Sequence, residues 1–170
     1  MPNATIFSLS ELTTDPCAYA IIQGGTSFPD IAGIANFYET KWDTGLLIEI
    51  ELANLPNASA DSPHFLGLHL HENGDCTNGF ANTGMHYNPT DAAHPYHIGD
   101  LPSILNSHGY AYGAFYDCFL SIPKILGRSV ILRGSRDDFT SQPSGDSGEK
   151  IACGIIVQNK PNTPQQSNGA

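Results

Sequence analysis

Positive charge is scarce in this sequence: 170 residues carry seven Lys and Arg against 17 Asp and Glu, a formal net charge of −10. So acidic a surface repels phosphate backbones and anionic headgroups, and no nucleic acid or membrane partner is expected. An enzyme with an anionic substrate would need a local cationic patch to overcome that field. Long apolar runs are missing too; no stretch of about 18 apolar residues occurs, which argues against a transmembrane helix. The opening Met1-Pro2-Asn3-Ala4-Thr5 lacks a basic segment followed by an apolar one. The chain therefore reads as cytoplasmic as written, although a secreted or periplasmic chain already processed would begin in the same way. None of the four cysteines, Cys17, Cys76, Cys118 and Cys153, stands in C-x-x-C spacing. That excludes a thiolate zinc ribbon or a thioredoxin-like centre and leaves at most two disulfides, with three pairings open. No long segment keeps a helical period, and no internal repeat is present.

The composition is globular, 40% hydrophobic and 14% charged, and the length suits one domain with its own core. Seventeen glycines and twelve prolines punctuate short apolar runs. Gly24-Gly25 and Gly33 are expected to bracket turns. Strand-length runs rich in β-branched and aromatic residues cover 18–22, 34–38, 46–52, 65–71, 110–115, 129–132 and 151–157. The run ending in Ile48-Glu49-Ile50-Glu51-Leu52 alternates cleanly, as a strand with one wet face does. Many short strands between turn signals predict an all-β sandwich or barrel. Residues 72–101 and 137–148 are expected to be loops, the first so long that it reads as functional. The domain is expected over 18–157, behind an N-terminal extension (1–17) and ahead of a disordered polar tail (158–170).

Histidine carries the chemistry. His69 and His71 stand two apart in a predicted strand, so both imidazoles point to one face and can meet at one ion. Imidazole nitrogen suits copper or zinc. His86, His94, His97 and Asp100 follow, three nitrogens and one oxygen, which is a full tetrahedral set for zinc with no position left open. Such a closed site would fold and stiffen the long loop. A lone H-x-H on a strand is usually ordinary, and loop histidines are usually only solvated. Six ligand-type residues inside one short stretch favour a metal centre. His64 and His108 fall outside the cluster and read as surface residues.

The segment Gly67-Leu68-His69-Leu70-His71-Glu72-Asn73-Gly74-Asp75-Cys76 resembles the copper-binding strand and turn of copper/zinc superoxide dismutases, in the bacterial form with a cysteine at this place. Gly84-Met85-His86-Tyr87-Asn88-Pro89 is similar to the segment of their bridging histidine. His94 and His97-Ile98-Gly99-Asp100-Leu101 match the remaining zinc ligands, with a shorter spacing between the two histidines than in animal members. Gly127-Arg128-Ser129-Val130-Ile131-Leu132, Asp137-Asp138 and the GEKIACG stretch at 148–154 match the C-terminal pattern. The resemblance spans about residues 18–157.

It implies an eight-stranded Greek-key β-barrel, an immunoglobulin-like sandwich with a long metal-binding loop. It implies copper at His69, His71 and His86, zinc at His86, His94, His97 and Asp100, superoxide as substrate, and room for a homodimer. His86 would bridge the two ions and take a proton during turnover, and Asp137 would be the carboxylate that orients a histidine of each site. Cys76 and Cys153 match the family's disulfide; in a reducing cytosol they would instead be buried thiols. Cys17 and Cys118 have no family partner and are expected to be free and largely buried. Lys150 stands where the family has an arginine beside the copper. It is either a catalytic guide for the anion or a plain surface lysine.

One position departs. The fourth copper ligand is expected six residues after Gly127, and that residue is Arg133. A guanidinium stays protonated and offers no lone pair, so it cannot ligate copper. The expected function is a superoxide dismutase-family metalloprotein with an intact zinc site and an incomplete copper site, its dismutation of superoxide to hydrogen peroxide and oxygen weak or lost. A working dismutase with three-histidine copper is the alternative, and a non-enzymatic copper carrier the second. Against the carrier stand the absence of a C-x-x-C or C-x-C pair and of an appended metal-binding domain.

Overall fold

The structure, a computed structural model, describes residues 15–40, 45–56 and 64–159. The expected extension up to residue 14 and the expected tail from residue 160 lie outside the described residues. Eight strands form one antiparallel sheet: β1 (Ala18–Gly24), β2 (Ala32–Glu39), β3 (Leu46–Ala53), β4 (Phe65–His71), β5 (Asp100–Leu105), β6 (Ala111–Asp117), β7 (Ser129–Arg133) and β8 (Lys150–Gln158). Their order is β5-β4-β7-β8-β1-β2-β3-β6. The two end strands approach each other, so the sheet curls into a nearly closed barrel, and the non-sequential neighbours give the predicted Greek-key connectivity. Among the described residues no helix is long and apolar enough to cross a membrane. Among the described residues the helical content is a 3-10 turn at Asn78–Thr83 and one α-turn, α1, at Ile122–Ile125.

Alternation builds the barrel interior. Ala18, Ala20 and Ile22 of β1, Ile48, Ile50 and Leu52 of β3, Leu66, Leu68 and Leu70 of β4, and Val130 and Leu132 of β7 all join one buried cluster. Burial of each large side chain contributes about 1.5–3 kcal/mol. Because neighbours in a strand face opposite ways, His69, His71 and Ile131 are turned to the outer side of the wall. Small residues lie where strands approach closely. Gly33 sits inside β2 and not in a turn, since any side chain there would collide with the Glu51 carbonyl and Leu52.

The strand that sequence patterning missed is β5, which begins at Asp100 inside the stretch expected to be loop. Pro102 disguised it. Proline is tolerated here because β5 ends the sheet order, and an edge strand does not need every N–H in a ladder. β8 carries Gln158, the first residue of the expected tail. Asn159 then donates from its backbone N–H to the Cys17 carbonyl and from its side chain to the Pro16 carbonyl.

Cys76 and Cys153 form a disulfide with a Cα–Cα distance of 5.9 Å. It pins the long loop to β8, and Phe80 and Ile131 pack around it. The bridge closes a loop across 77 positions, so the chain-entropy relation gives it about 4–5 kcal/mol. Urea unfolding with and without reductant checks this; a midpoint that ignores reductant would contradict it. Cys17 and Cys118 are free, but the expected burial fails: Cys17 is half-buried just ahead of β1, and Cys118 is exposed in the turn after β6.

Candidate metal centre

The loop between β4 and β5 folds back over the outer face of the barrel. Its path is fixed by backbone pairing: Leu70 N–H donates to the Gly99 carbonyl, Tyr87 N–H to the Leu70 carbonyl, and Gly99 N–H to the Tyr87 carbonyl. Arg128 clamps the loop base, with its guanidinium carbon 3.6 Å from the centre of the Tyr87 ring and Nη1 donating to the Glu72 carbonyl at 2.9 Å. These contacts carry His86 onto His71 as an isolated antiparallel bridge. His69, His71, His86 and His94 are each no more than 3% exposed.

Two groups of ligand atoms result: His86, His94, His97 and Asp100 in one, and His69, His71 and His86 in the other, each with its atoms within 4.8 Å of one another. His86 belongs to both. Its Nδ1 meets Asp100 Oδ1 at 2.7 Å, and its ring stacks 3.9 Å from that of His69. His94 Nδ1 lies 3.0 Å from Asp100 Oδ2, and His97 Nδ1 lies 3.3 Å from the same oxygen. The Asp100 carboxylate is thus the point on which three imidazoles close.

Hydrogen bonds to the opposite ring nitrogens set the tautomers. Asp137 receives His69 Nε2 at 2.7 Å and His94 Nε2 at 2.9 Å, one on each carboxylate oxygen. His71 Nδ1 donates to the Gly84 carbonyl at 2.9 Å. Four buried nitrogens are left with no hydrogen-bond partner: His69 Nδ1, His71 Nε2, His86 Nε2 and His94 Nδ1. An unsatisfied buried polar atom costs about 1–3 kcal/mol. Three of these four share the His69–His71–His86 group and the fourth faces Asp100. Bare lone pairs on one side and an oriented N–H on the other are the features of metal-bound histidine. The residues therefore fit a pair of adjoining cations.

Electrostatics agree. Burial, then the neighbouring His86, lowers His69 to about 4, and burial lowers His71 to about 2. Burial pushes Asp137 upward, but hydrogen bonds from His69, the Phe139 N–H and His94 outweigh it and hold the carboxyl below its usual range. The sign for stability follows. His69 has a folded pKa below its unfolded value near 6.5, so its contribution is complete above about pH 6.5 and is lost as pH falls toward 4. The slope is up to about 1.4 kcal/mol per pH unit for this histidine. Urea unfolding of chelator-treated protein at pH 7, 6 and 5 should show the decline, and a flat profile would contradict it.

Arg133 ends β7 on the same outer face, opposite Lys150 of β8 in the ladder. Its Nε donates to Ser147 Oγ at 2.9 Å. Burial lowers the Arg133 pKa against the opposing charge of Asp137, and burial, assisted by the Arg133 charge, lowers that of His86, so the guanidinium lies within electrostatic reach of both. Lys150 Nζ donates to Thr83 Oγ1 at 2.8 Å and to the Gly84 and Phe80 carbonyls at 3.1 and 3.2 Å. His64 and His108 are exposed and outside both groups.

Sequence reading missed two partners. Gln142 pairs with the backbone of His94 in both directions, accepting from its N–H at 3.1 Å and donating to its carbonyl at 2.7 Å. Gly145 leaves the space beside Asp137 and His94 that a side chain would fill, and its φ of +67° suits glycine. Asp137→Asn should lower metal affinity at both groups by about 10–100-fold, because an amide cannot accept both imidazole N–H groups as a carboxylate does. Competition with a chromogenic chelator measures it; an effect on one group alone would contradict the shared role.

A β-barrel whose outer face brings together two groups of ligand atoms sharing one imidazole is a scaffold that could hold a pair of metal ions. A sequence model described as copper/zinc superoxide dismutase (SODC) matches residues 31–156. A Saccharomyces cerevisiae protein named Superoxide dismutase [Cu-Zn] is 30% identical over 156 residues, covering 82% of this chain and 96% of the yeast protein. Superoxide dismutase [Cu-Zn] 3 of Arabidopsis thaliana is 37% identical over 111 residues, 56% of this chain and 68% of the plant protein. Extracellular superoxide dismutase [Cu-Zn] of Rattus norvegicus is 29% identical over 137 residues, 75% of this chain and 55% of the rat protein. The chain belongs to the copper/zinc superoxide dismutase family.

Proposed function

We propose that this chain is a zinc-holding member of the family whose second metal pocket lacks one ligand, so that dismutation of superoxide is weak or lost. Zinc would be held by His86, His94, His97 and Asp100. His69, His71 and His86 would hold copper, which when bound supplies the one-electron chemistry that converts superoxide to hydrogen peroxide and oxygen. The observation that carries the reading is the set of three converging, unpartnered nitrogens beside Arg133, where a fourth imidazole would complete the set.

The side chains divide as follows. Asp137 holds His69 and His94 with their Nδ1 atoms bare. His86 would offer Nδ1 to the first group and Nε2 to the second, and the buried, unpartnered Nε2 is also a position that could carry a proton. With His86 protonated, only His69 and His71 still offer nitrogens to the second pocket, which is too few to keep a soft cation tightly. Arg133 adds a positive charge where the family has a neutral donor, and that opposes cation binding.

A working three-histidine dismutase is the second reading, favoured by the full burial and mutual reach of the same three nitrogens. Metal analysis after purification without chelator separates the two. Zinc alone at about one ion per chain supports the impaired reading. Zinc and copper at equal occupancy, with superoxide consumption at a rate like that of the chain carrying histidine at 133, would overturn it.

A further inference from the structure

The outer face of β2, β3 and β6 carries phenols and carboxylates that the metal centre does not use. Outward positions pair across the strands as Asn36, Glu49 and Ala114, and as Ile34, Glu51 and Tyr112. Glu49 is the hub. Its Oε2 accepts from the Tyr38 hydroxyl and from Asn36 Nδ2, each at 3.1 Å, and its Oε1 accepts from the Tyr112 hydroxyl at 3.2 Å. Glu51 Oε1 accepts from the Tyr110 hydroxyl at 3.0 Å. Among the described residues no lysine or arginine pairs with either carboxylate. The two phenols on Glu49 differ in access: Tyr112 is 50% exposed and Tyr38 only 5%. Burial, then the bond to Glu49 and its charge, push Tyr38 up to about 12 and hold Tyr112 above its usual range. Neither phenol therefore ionises at neutral pH; each keeps its proton and rests it on a carboxylate oxygen.

We propose that Tyr112, Glu49 and Tyr38 form a one-electron oxidation site, with Tyr112 the entry and Tyr38 the shelter for the radical. A tyrosine that keeps its proton gives up an electron readily only if the proton leaves with it, and Glu49 is the base placed at the phenolic hydrogen. An oxidant at the surface takes one electron from Tyr112 and is itself reduced. The phenolic proton crosses to Glu49 Oε1, which leaves a neutral tyrosyl radical and a carboxylic acid. Tyr38 then passes an electron to that radical. Tyr112 retakes the proton from Oε1, the Tyr38 proton moves to Oε2, and the radical rests on a buried ring that a second chain cannot reach. The acidic row repels anions, so the oxidant it fits is neutral or cationic; an organic peroxyl radical is one, reduced to a hydroperoxide with a proton from water.

Photogenerated ruthenium(III) tris-bipyridine, a cationic one-electron oxidant, tests it on the zinc-loaded full chain. Tyr96 is the internal control: at 77% exposed it is the more accessible ring, and its hydroxyl has no acceptor among the described residues. Freeze-quenched electron paramagnetic resonance should show a tyrosyl radical, and peptide mapping should find oxidation at Tyr112 and Tyr38 ahead of Tyr96. Glu49→Gln keeps an acceptor for both phenols but no base, and should slow radical formation by about 100-fold. Tyr112→Phe should lose the fast phase. Tyr38→Phe should keep it, shorten the radical's lifetime and raise dityrosine between chains. If Glu49→Gln fails to fold, the wild-type rate in deuterium oxide serves instead, and it should fall because the proton leaves with the electron. A merely structural cluster would lower Tm in these variants and leave the radical where exposure puts it. Oxidation at Tyr96 first, a fast phase unchanged in Tyr112→Phe and Glu49→Gln, or equal rates in the two waters would overturn the proposal.

Discussion

Arg133→His is expected to raise copper affinity and superoxide consumption together, each by at least about 100-fold. Loss of a partner outside the ligand set changes metal affinity by about 10–100-fold, and restoring a direct donor while removing an adjacent charge should exceed that. The backbone favours success. Position 133 ends β7 on the same outer face as His69 and His71, and the long side chain there already reaches the 135–148 loop, with Nε donating to Ser147 Oγ. Copper titration of both forms against a competing chelator, followed by a superoxide-consumption assay, reads the result. Equal activity in the two forms would refute the impaired reading. Unchanged copper affinity would show that three histidines suffice.

Loss of zinc is expected to have the largest effect on stability. His86 and His97 are held to Asp100, and His94 to Asp137. A metal bound at about 1,000 times its dissociation constant adds about 4 kcal/mol, which for a domain of this size is roughly 8–16 °C in Tm. His94→Ala removes both the donor and one of the two imidazoles on Asp137, so it should match or exceed the effect of chelation. Differential scanning calorimetry of zinc-loaded, chelated and His94→Ala protein gives the comparison. Amide exchange should quicken mainly over residues 72–99, with the barrel strands little changed. A Tm indifferent to zinc would contradict a structural site.

Much of the centre was legible because its residues announce themselves in the chain. His69 and His71 stand at the strand period, and His86, His94, His97 and Asp100 crowd one loop. Seven strands showed as short runs rich in β-branched and aromatic residues, one of them with clean alternation. The eighth did not, because Pro102 reads as a breaker when the edge position of β5 is unknown. The supporting contacts were invisible for another reason. The Gly84 carbonyl is a backbone atom with no compositional signal, and Gln142 finds His94 only after two loops, 48 positions apart, have folded together. The exposure of Cys118 followed from its turn and not from its residue type. Arg133 was conspicuous only against a family pattern; its bond to Ser147 needed coordinates.

The most direct test of a paired centre with one full and one deficient pocket is anomalous diffraction at the zinc and copper edges, on crystals grown with both metals. The account predicts a full zinc peak about 2.0–2.2 Å from His86, His94, His97 and Asp100. It predicts a weak or absent copper peak beside His69 and His71, with Arg133 supplying no ligand. A full copper peak in native protein, or no zinc peak within the first group, would contradict it.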